Sequence, residues 1–276
     1  MPPSPSTPPP VALSIAGSDS SAGAGVQADL KTFSANGVYG LTALTCVVAE
    51  VPGVVAAIQS IDTAVVRQQV HLLAENFPVR AVKTGLLHSA EIVRLVADLY
   101  REELAAKNQP PLVVDPVMVA TSGDSLVAGE VVEAYREHLF PHAALITPNL
   151  DESAALLGRK ISDEAAIASA GRDLADFFGV PFLLKGGHLR GATALDLLIF
   201  PGGVTHEFTA PFQRGGATHG TGCAYSAAIA AQLAHGHPLI EAVRRAKVFI
   251  TSAIQNSFQW RKPGRPEMNA LNHFAE

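Results

Sequence analysis

The sequence predicts an α/β protein with a mostly parallel central sheet, helices on both faces and an antiparallel edge. Three observations carry that expectation. Short apolar runs alternate with segments of three- and four-residue apolar spacing along most of the chain, glycine-rich or polar loops follow the apolar runs, and Pro201-Gly202-Gly203 links two further apolar runs as a hairpin. In an open parallel sheet, ligands bind beyond the carboxyl ends of the strands. Polar residues at those ends are therefore the ones to weigh.

The first ten residues include prolines at 2, 3, 5, 8, 9 and 10. Such a segment neither forms helix nor pairs as a strand, so residues 1–10 are expected to be a disordered tail and residues 11–276 one domain. Val11 to Ala16 reads as a buried strand and Gly17 to Gly25 as the loop at its end. Val26 to Asn36 follows as a helix stopped by Gly37. Leu41 to Val48 is a second strand, ending at Ala49-Glu50-Val51-Pro52-Gly53. Thr63 to Asn76 has helical spacing, Val79 to Lys83 is a short strand, and Ser89 to Ala106 is a long helix with Ser89 as its N-cap. Leu112 to Asp115 is a strand ending in an acid, Gly129 to Leu139 a helix, and Ala144 to Thr147 a strand before Pro148-Asn149. Ser162 caps a helix to Phe178 that Gly179 closes, and Pro181 to Lys185 is a strand leading into Gly186-Gly187. The hairpin strands are Leu195 to Phe200 and Val204 to Pro211. The last helices span Gly222 to His235 and Leu239 to Ser257. Met118, Phe177 and Phe178 read as core residues, and so does Cys46.

Composition narrows the function classes. With 276 residues, 48% hydrophobic and 16% charged, there is ample apolar surface to bury. A net charge of −5 without a run of Lys or Arg offers no electrostatic footprint for nucleic acid or an anionic membrane, which leaves a small molecule as the expected partner. Two cysteines, Cys46 and Cys223, are too few for a disulfide framework. No apolar run approaches the ~20 residues of a membrane span, and the beginning of the chain lacks the basic-then-apolar order of a signal peptide. A soluble, cytoplasmic protein is expected.

Several polar residues converge on the predicted strand ends: Asp19, Glu50, Lys83, Asp115, Asn149, Glu152 and Lys185. With them comes Thr218-His219-Gly220-Thr221-Gly222-Cys223, where a loop enters a helix. Gly220 and Gly222 flank Thr221 there, so bare N–H groups and the positive end of the helix dipole can meet an anion. Cys223 in the first helical turn has two readings: a thiolate favoured by the dipole that acts as a general base, or a small packing residue of an Ala-rich helix. Asn149 and Glu152, three apart, suit Mg²⁺ held beside substrate phosphates, and Asn149 equally suits a helix cap. Lys185 is either a solvated charge or a point charge on a phosphate. His219 is expected to serve in structural hydrogen bonding. The Gly17 to Gly25 loop is no P-loop, because no Gly-Lys-Ser/Thr follows.

Taken in order, Ile15-Ala16-Gly17-Ser18-Asp19, Ala24-Gly25-Val26-Gln27-Ala28-Asp29-Leu30-Lys31-Thr32-Phe33, Asp115-Pro116-Val117-Met118, Thr147-Pro148-Asn149-Leu150-Asp151-Glu152, Lys185-Gly186-Gly187-His188 and Thr218 to Cys223 resemble the hydroxymethylpyrimidine/phosphomethylpyrimidine kinases of thiamine biosynthesis, members of the ribokinase-like superfamily. The resemblance runs from Val11 to about Ser257. It implies a ribokinase-like three-layer sandwich and an ATP-dependent kinase using Mg²⁺. Gly220, Thr221, Gly222 and Cys223 then match the anion hole, with Cys223 at the place of the catalytic base. Asp115, Asn149 and Glu152 match the arrangement of Mg²⁺ and phosphate, and Lys185 and Lys247 lie toward the nucleotide. Ala24, Asp29, Leu86 and Val117 match positions around the pyrimidine. A homodimer is implied as well. The reaction would be in-line transfer of the ATP γ-phosphoryl group to a hydroxymethylpyrimidine or its monophosphate.

Departures from the pattern bear on the acceptor. Ala49-Glu50-Val51 stands where Ala-Gln-Asn is common, and an ionised Glu only accepts hydrogen bonds where a Gln both donates and accepts. Thr121 replaces a common lysine, and Ala22 a loop glycine. Glu50 therefore points to selectivity between the free alcohol and its monophosphate, with the monophosphate preferred. Two rivals stand beside this reading: a pyridoxine or pyridoxal kinase with the same turn, and a non-catalytic protein that senses a pyrimidine or nucleotide.

Overall fold

The protein, represented by a computed structural model, is described over residues 7–118, 129–161, 163–186, 193–213 and 217–275. Residues 1–6, Thr121, Ser162, Gly187 and His188 lie outside these segments. Nine strands form one sheet in the order β3-β2-β1-β4-β5-β6-β7-β8-β9. β1 (Val11–Asp19) lies between β2 (Tyr39–Val51) and β4 (Val79–Thr84), parallel to both, and β5 (Leu112–Val114), β6 (Leu145–Ile146) and β7 (Phe182–Lys185) extend the parallel run. The expected hairpin forms one edge as β8 (Thr193–Ile199) and β9 (Thr205–Pro211), antiparallel to each other and to β7.

The inner strands are buried on both faces, and successive side chains point to opposite faces as pleating requires. Leu13, Val82, Val114, Ile146 and Leu184 point to one core, while Ala12, Ala81, Val113, Leu145 and Leu183 point to the other. The first core is covered by α2 (Thr63–Asn76), α3 (Ala90–Leu99), α5 (Gly129–Ala134), α6 (Leu150–Leu157) and α7 (Glu164–Phe178). The second is covered by α1 (Gly25–Ala35), α8 (Thr221–Ala234) and α9 (Leu239–Gln255). Three layers result, and small side chains make the second cover possible: Ala224, Ala227, Ala228, Ala230 and Ala231 of α8 are fully buried, which lets that helix lie close to the sheet.

The structure departs from the sequence reading at several places. The strand expected to end at Ala16 continues to Asp19, through an irregular register between Ala16 and Ser18. A second antiparallel edge, β3 (Val54–Ser60), folds back on β2 after Gly53 in a left-handed conformation. Its residues are mostly exposed and lack the alternation that would have marked them. The helix expected over Ser89 to Ala106 is α3 followed by a π-helical stretch (Tyr100–Ala105) and the short α4 (Ala106–Asn108), with the Tyr100 hydroxyl donating to the Pro110 carbonyl at 2.9 Å. A second π-helical stretch (Tyr135–Leu139) follows α5, and Asp163 caps α7. Phe177 is 70% exposed beneath Arg136 instead of in the core. A small hairpin, β10 (Phe258–Trp260) with β11 (Met268–Ala270), was not anticipated.

Past that hairpin, His273 is buried, and its Nε2 has no hydrogen-bond partner among the described residues. Burial first, and the nearby Lys31 ammonium second, bring its imidazole down to about 4 from an ordinary 6.5. The folded state thus holds the neutral ring while the unfolded chain takes a proton as pH falls below 6.5. This part of the stability is complete above about pH 6.5 and lost progressively toward pH 4. His273→Phe is expected to shrink the fall in Tm between pH 7 and pH 5 by a few degrees, on the order of 2–5 °C. An unchanged pH slope in thermal unfolding would contradict this.

Candidate active site

The chain leaves β1 and returns to the sheet on one side through β2 and on the other through β4 and β5, so β1 marks a topological switch point. A cavity of about 780 Å³ opens at the carboxyl ends of the strands there. All the sequence-derived candidates except Asp29 line it: Ala24, Glu50, Leu86, Val117, Asp115, Asn149, Glu152, Lys185, Lys247 and Gly220 to Cys223.

One wall is built by two loops locked together. Asp19, at the end of β1, accepts from the backbone N–H of Ser21 (2.6 Å), Gly23 (3.1 Å) and Ala24 (2.7 Å) and from the Ser21 hydroxyl (2.9 Å). His219 Nε2 lies 2.9 Å from its Oδ2. Burial alone would raise this carboxyl, but the bonds from His219, Ser21 and Ala24 outweigh burial and hold it at about 2. The loop carrying His219 fits because two side chains are missing. A Cβ on Gly23 would stand 2.6 Å from the His219 ring, and one on Gly220 would stand 1.8 Å from the Gly23 carbonyl oxygen. Gly220 is also left-handed, at φ 76°, a conformation that favours glycine. Ala22 in the facing loop adopts φ 57° despite its side chain, so the glycine it replaces was the unstrained residue.

Gly220 is the N-cap of α8 and no side chain caps that helix, so its first N–H groups lie at the cavity without a side-chain acceptor. Gly222 allows close approach: a Cβ there would be 3.1 Å from Lys185 Nζ and 3.7 Å from Asp115 Oδ2. Lys185, at the end of β7, pairs with Asp115 Oδ1 at 3.0 Å, and Asp115 also accepts from Thr147 Oγ1 (3.3 Å) and Ser226 Oγ (3.1 Å). Burial would lower the Lys185 ammonium, but Asp115 and Glu152 together raise it. A cation and a helix start side by side make an anion-binding corner.

Asn149 and Glu152 form a reciprocal capping box on α6: Asn149 Oδ1 accepts from Glu152 N–H and Glu152 Oε2 from Asn149 N–H, both at 2.8 Å. The capping alternative therefore holds for Asn149. Burial pushes the Glu152 carboxyl up to about 7, with Lys185 opposing and Asp115 adding to the rise.

For Cys223, of the two readings, a base or a packing residue, the surroundings bear on the first. The thiol is partly exposed to the cavity, but desolvation pushes it up to about 11, against the pull of the Lys83 ammonium and a hydrogen bond from Gly25 N–H. Low-dielectric surroundings outweigh the helix start. Asp29 is corrected. It is fully enclosed, holds Lys83 Nζ at 2.9 and 3.0 Å and accepts from Ser14 Oγ at 2.5 Å, so the cavity meets Lys83 and not Asp29.

At the opposite end, Glu50 is half-buried and tied by its backbone to Ser20 Oγ. Its carboxylate accepts no hydrogen bond among the described residues. Burial first, and the neighbouring Asp19 second, raise its pKa, with His219 opposing. Oxygens of Asp19 and Glu50 and a ring nitrogen of His219 lie within 4.8 Å of one another. Asp19 is already filled with donors, so this trio is a polarised hydrogen-bonding wall. Beyond Lys185, Lys247 pairs with Asp196 Oδ2 at 2.6 Å, and Asp196 accepts from Gly186 N–H at 3.2 Å. Ile250, Ile254, Pro211 and Phe212 line an apolar recess there. Sequence reasoning missed Asp196. Its only signal was an acid inside an otherwise apolar hairpin strand.

An anion corner with its own cation, an acidic pair beside it and a recess leading away make a phosphotransferase site on a ribokinase-like sheet. Residues 19–267 match the family model described as phosphomethylpyrimidine kinase. The chain is 44% identical to the hydroxymethylpyrimidine/phosphomethylpyrimidine kinase of Rhizobium meliloti over 88% of its own length and 90% of that protein. It is 43% identical over 88% of its length to the thiamine biosynthesis bifunctional protein of Geobacter sulfurreducens, of which it spans only 49%, about half. Among solved structures, the pyridoxal kinase of Bacillus subtilis in its ADP complex superposes with TM-score 0.84 and 37% identity, covering 96% of this chain and 97% of that one. The phosphomethylpyrimidine kinase of Clostridium difficile superposes with TM-score 0.76 and 36% identity, covering 88% and 99%. This chain belongs to the phosphomethylpyrimidine kinase family, and as a kinase of that family it uses ATP as co-substrate.

Proposed function

We propose that the protein transfers the γ-phosphoryl group of ATP to 4-amino-5-hydroxymethyl-2-methylpyrimidine and to its monophosphate, as a step of thiamine biosynthesis. The observation that supports this most is the uncapped start of α8 beside Lys185, facing a cavity large enough for an acceptor and a nucleotide end to end. Gly220, Thr221 and Gly222 receive the transferring phosphoryl group, Lys185 offsets its charge, and Lys247 and the apolar recess take the nucleotide. Ala24, Glu50, Leu86 and Val117 surround the ring, leaving its hydroxymethyl group beside Cys223. With Glu152 ionised, Asp115 and Glu152 carry one negative charge more than Lys185 cancels, and a divalent cation would favour that form, whereas the Asn149 oxygen is committed to its cap. Mg²⁺ would be held there through water by the two carboxylates and would neutralise charge on the phosphates. The enzyme acts in the cytoplasm and as a homodimer, a state that sedimentation velocity would check. No helix among the described residues is long and apolar enough to cross a membrane.

ATP consumption measured against the pyrimidine alcohol, its monophosphate and pyridoxine tests the reading. Turnover with the pyrimidines and not pyridoxine is expected. Tight binding without turnover of any acceptor would favour the sensor. The Glu50 carboxylate supports selectivity, with higher kcat/KM for the monophosphate. Glu50→Gln is expected to narrow that ratio about tenfold, because the amide both donates and accepts. Equal efficiencies in the unaltered enzyme would sink this part.

A further inference from the structure

The largest charged group with no role so far is a buried ion pair under the cavity floor. Lys83 and Asp29 are both fully inaccessible, joined through both carboxylate oxygens, and Ser14 fixes Asp29 from the neighbouring strand. Breaking or burying such a pair costs stability, and a pair of apolar side chains would fill the space at less cost, so its retention calls for a reason beyond folding. Its position supplies one. Asp29 lies four residues after Gly25 on α1, one turn further along the same face, and Gly25 N–H is the donor to the Cys223 thiol. Lys83 reaches the floor from β4, which packs against α8. Gly85 keeps that approach open: a Cβ there would stand 2.9 Å from Lys83 Nζ, and Tyr135 holds the Gly85 carbonyl at 3.2 Å.

We propose that the Ser14–Asp29–Lys83 triad is a positioning element for Cys223, fixing an ammonium in the wall of the cavity that the thiol also lines so that negative charge on its sulfur is balanced. The proposal rests on the kinase reading for its purpose. In the transfer, the thiolate form of Cys223, a fraction that grows with pH below about 11, takes the proton of the acceptor O–H as the acceptor oxygen forms the new bond to the γ-phosphorus, and the bond from γ-phosphorus to the β-bridging oxygen breaks with its electron pair leaving on ADP. Of the charged groups around the cavity, Lys83 and Lys185 favour the thiol's anion, and Asp115 and Asp29 oppose it.

The test needs no substrate. Alkylation of Cys223 by iodoacetamide between pH 8 and pH 10 reports the thiolate fraction, with peptide mass spectrometry separating it from the fully buried Cys46, whose protection shows that the fold is intact. Lys83→Met is expected to slow Cys223 alkylation at least tenfold, and Asp29→Asn, which leaves the ammonium uncompensated, to speed it. Opposite signs from the two partners of one ion pair are the mark of electrostatic support; changes of the same sign, or none, in folded protein would overturn the proposal. If either single variant does not fold, the charge-neutral double variant Lys83→Met/Asp29→Asn is expected to react two- to tenfold more slowly than the unaltered protein, and a rate equal to it or higher overturns the idea. In turnover, Lys83→Met should lower kcat with acceptor KM little changed. Should no pyrimidine be phosphorylated at all, the proposed function fails, while the alkylation rates still decide this inference.

Discussion

Cys223→Ala is expected to lower kcat by about 10²–10³-fold while leaving the acceptor KM within about threefold. The reason is the position of the thiol at the start of α8, on the cavity wall, with Gly25 N–H on its sulfur. A group there meets the acceptor hydroxyl beside the corner that receives the phosphoryl group. Because burial holds the thiol near 11, its base form grows tenfold with each pH unit below that value. In the unaltered enzyme kcat should therefore rise between pH 7 and pH 9, and Cys223→Ala should lack that rise. Steady-state kinetics at saturating ATP would check both. If kcat survives and KM alone increases, Cys223 merely lines the acceptor end of the pocket.

Gly220→Ala should have the second large effect, this time on structure and activity together. A methyl group at 220 would overlap the Gly23 carbonyl at 1.8 Å, and the φ of 76° is strained for any side chain. The two loops must separate, breaking the contact of His219 with Asp19 and lifting the start of α8 away from Lys185. A loss on the order of 3 kcal/mol is expected, seen as a fall in Tm of about 6–10 °C, together with a drop in kcat/KM of more than about 100-fold. Gly222→Ala is the control: its Cβ meets mainly the flexible tip of Lys185, so stability should be nearly kept while phosphate affinity weakens. Equal Tm values for the Gly220 variant and the unaltered protein would show that the loops do not depend on this contact.

Much of the fold could be read in the sequence because its strands are short apolar runs and its helices keep a three- and four-residue spacing. The 63–76 helix was placed to the residue. Boundaries failed where local signals and tertiary contacts disagree. β1 runs on through Gly17 and Ser18 because β2 continues beside it, and β3 escaped notice because an exposed edge strand carries no buried alternation. In the site, Gly220 and Gly222 announced a close approach of backbone to something, without naming the partner. That partner is the carbonyl of Gly23 for one and the Lys185 ammonium for the other.

The sequence by itself determined the layering of the sheet, the edge at which polar residues gather and the helix start that receives an anion, since each follows from local periodicity and from what glycine permits. Only the tertiary structure decided which charges meet: that Asp29 pairs with Lys83 beneath the floor, that Asn149 is committed to its cap, that Asp196 answers Lys247, and that burial pushes the Cys223 thiol up. Those outcomes depend on how completely water is excluded around groups far apart in the chain. Desolvation, unlike periodicity, is a property of the whole packed molecule and of no single segment.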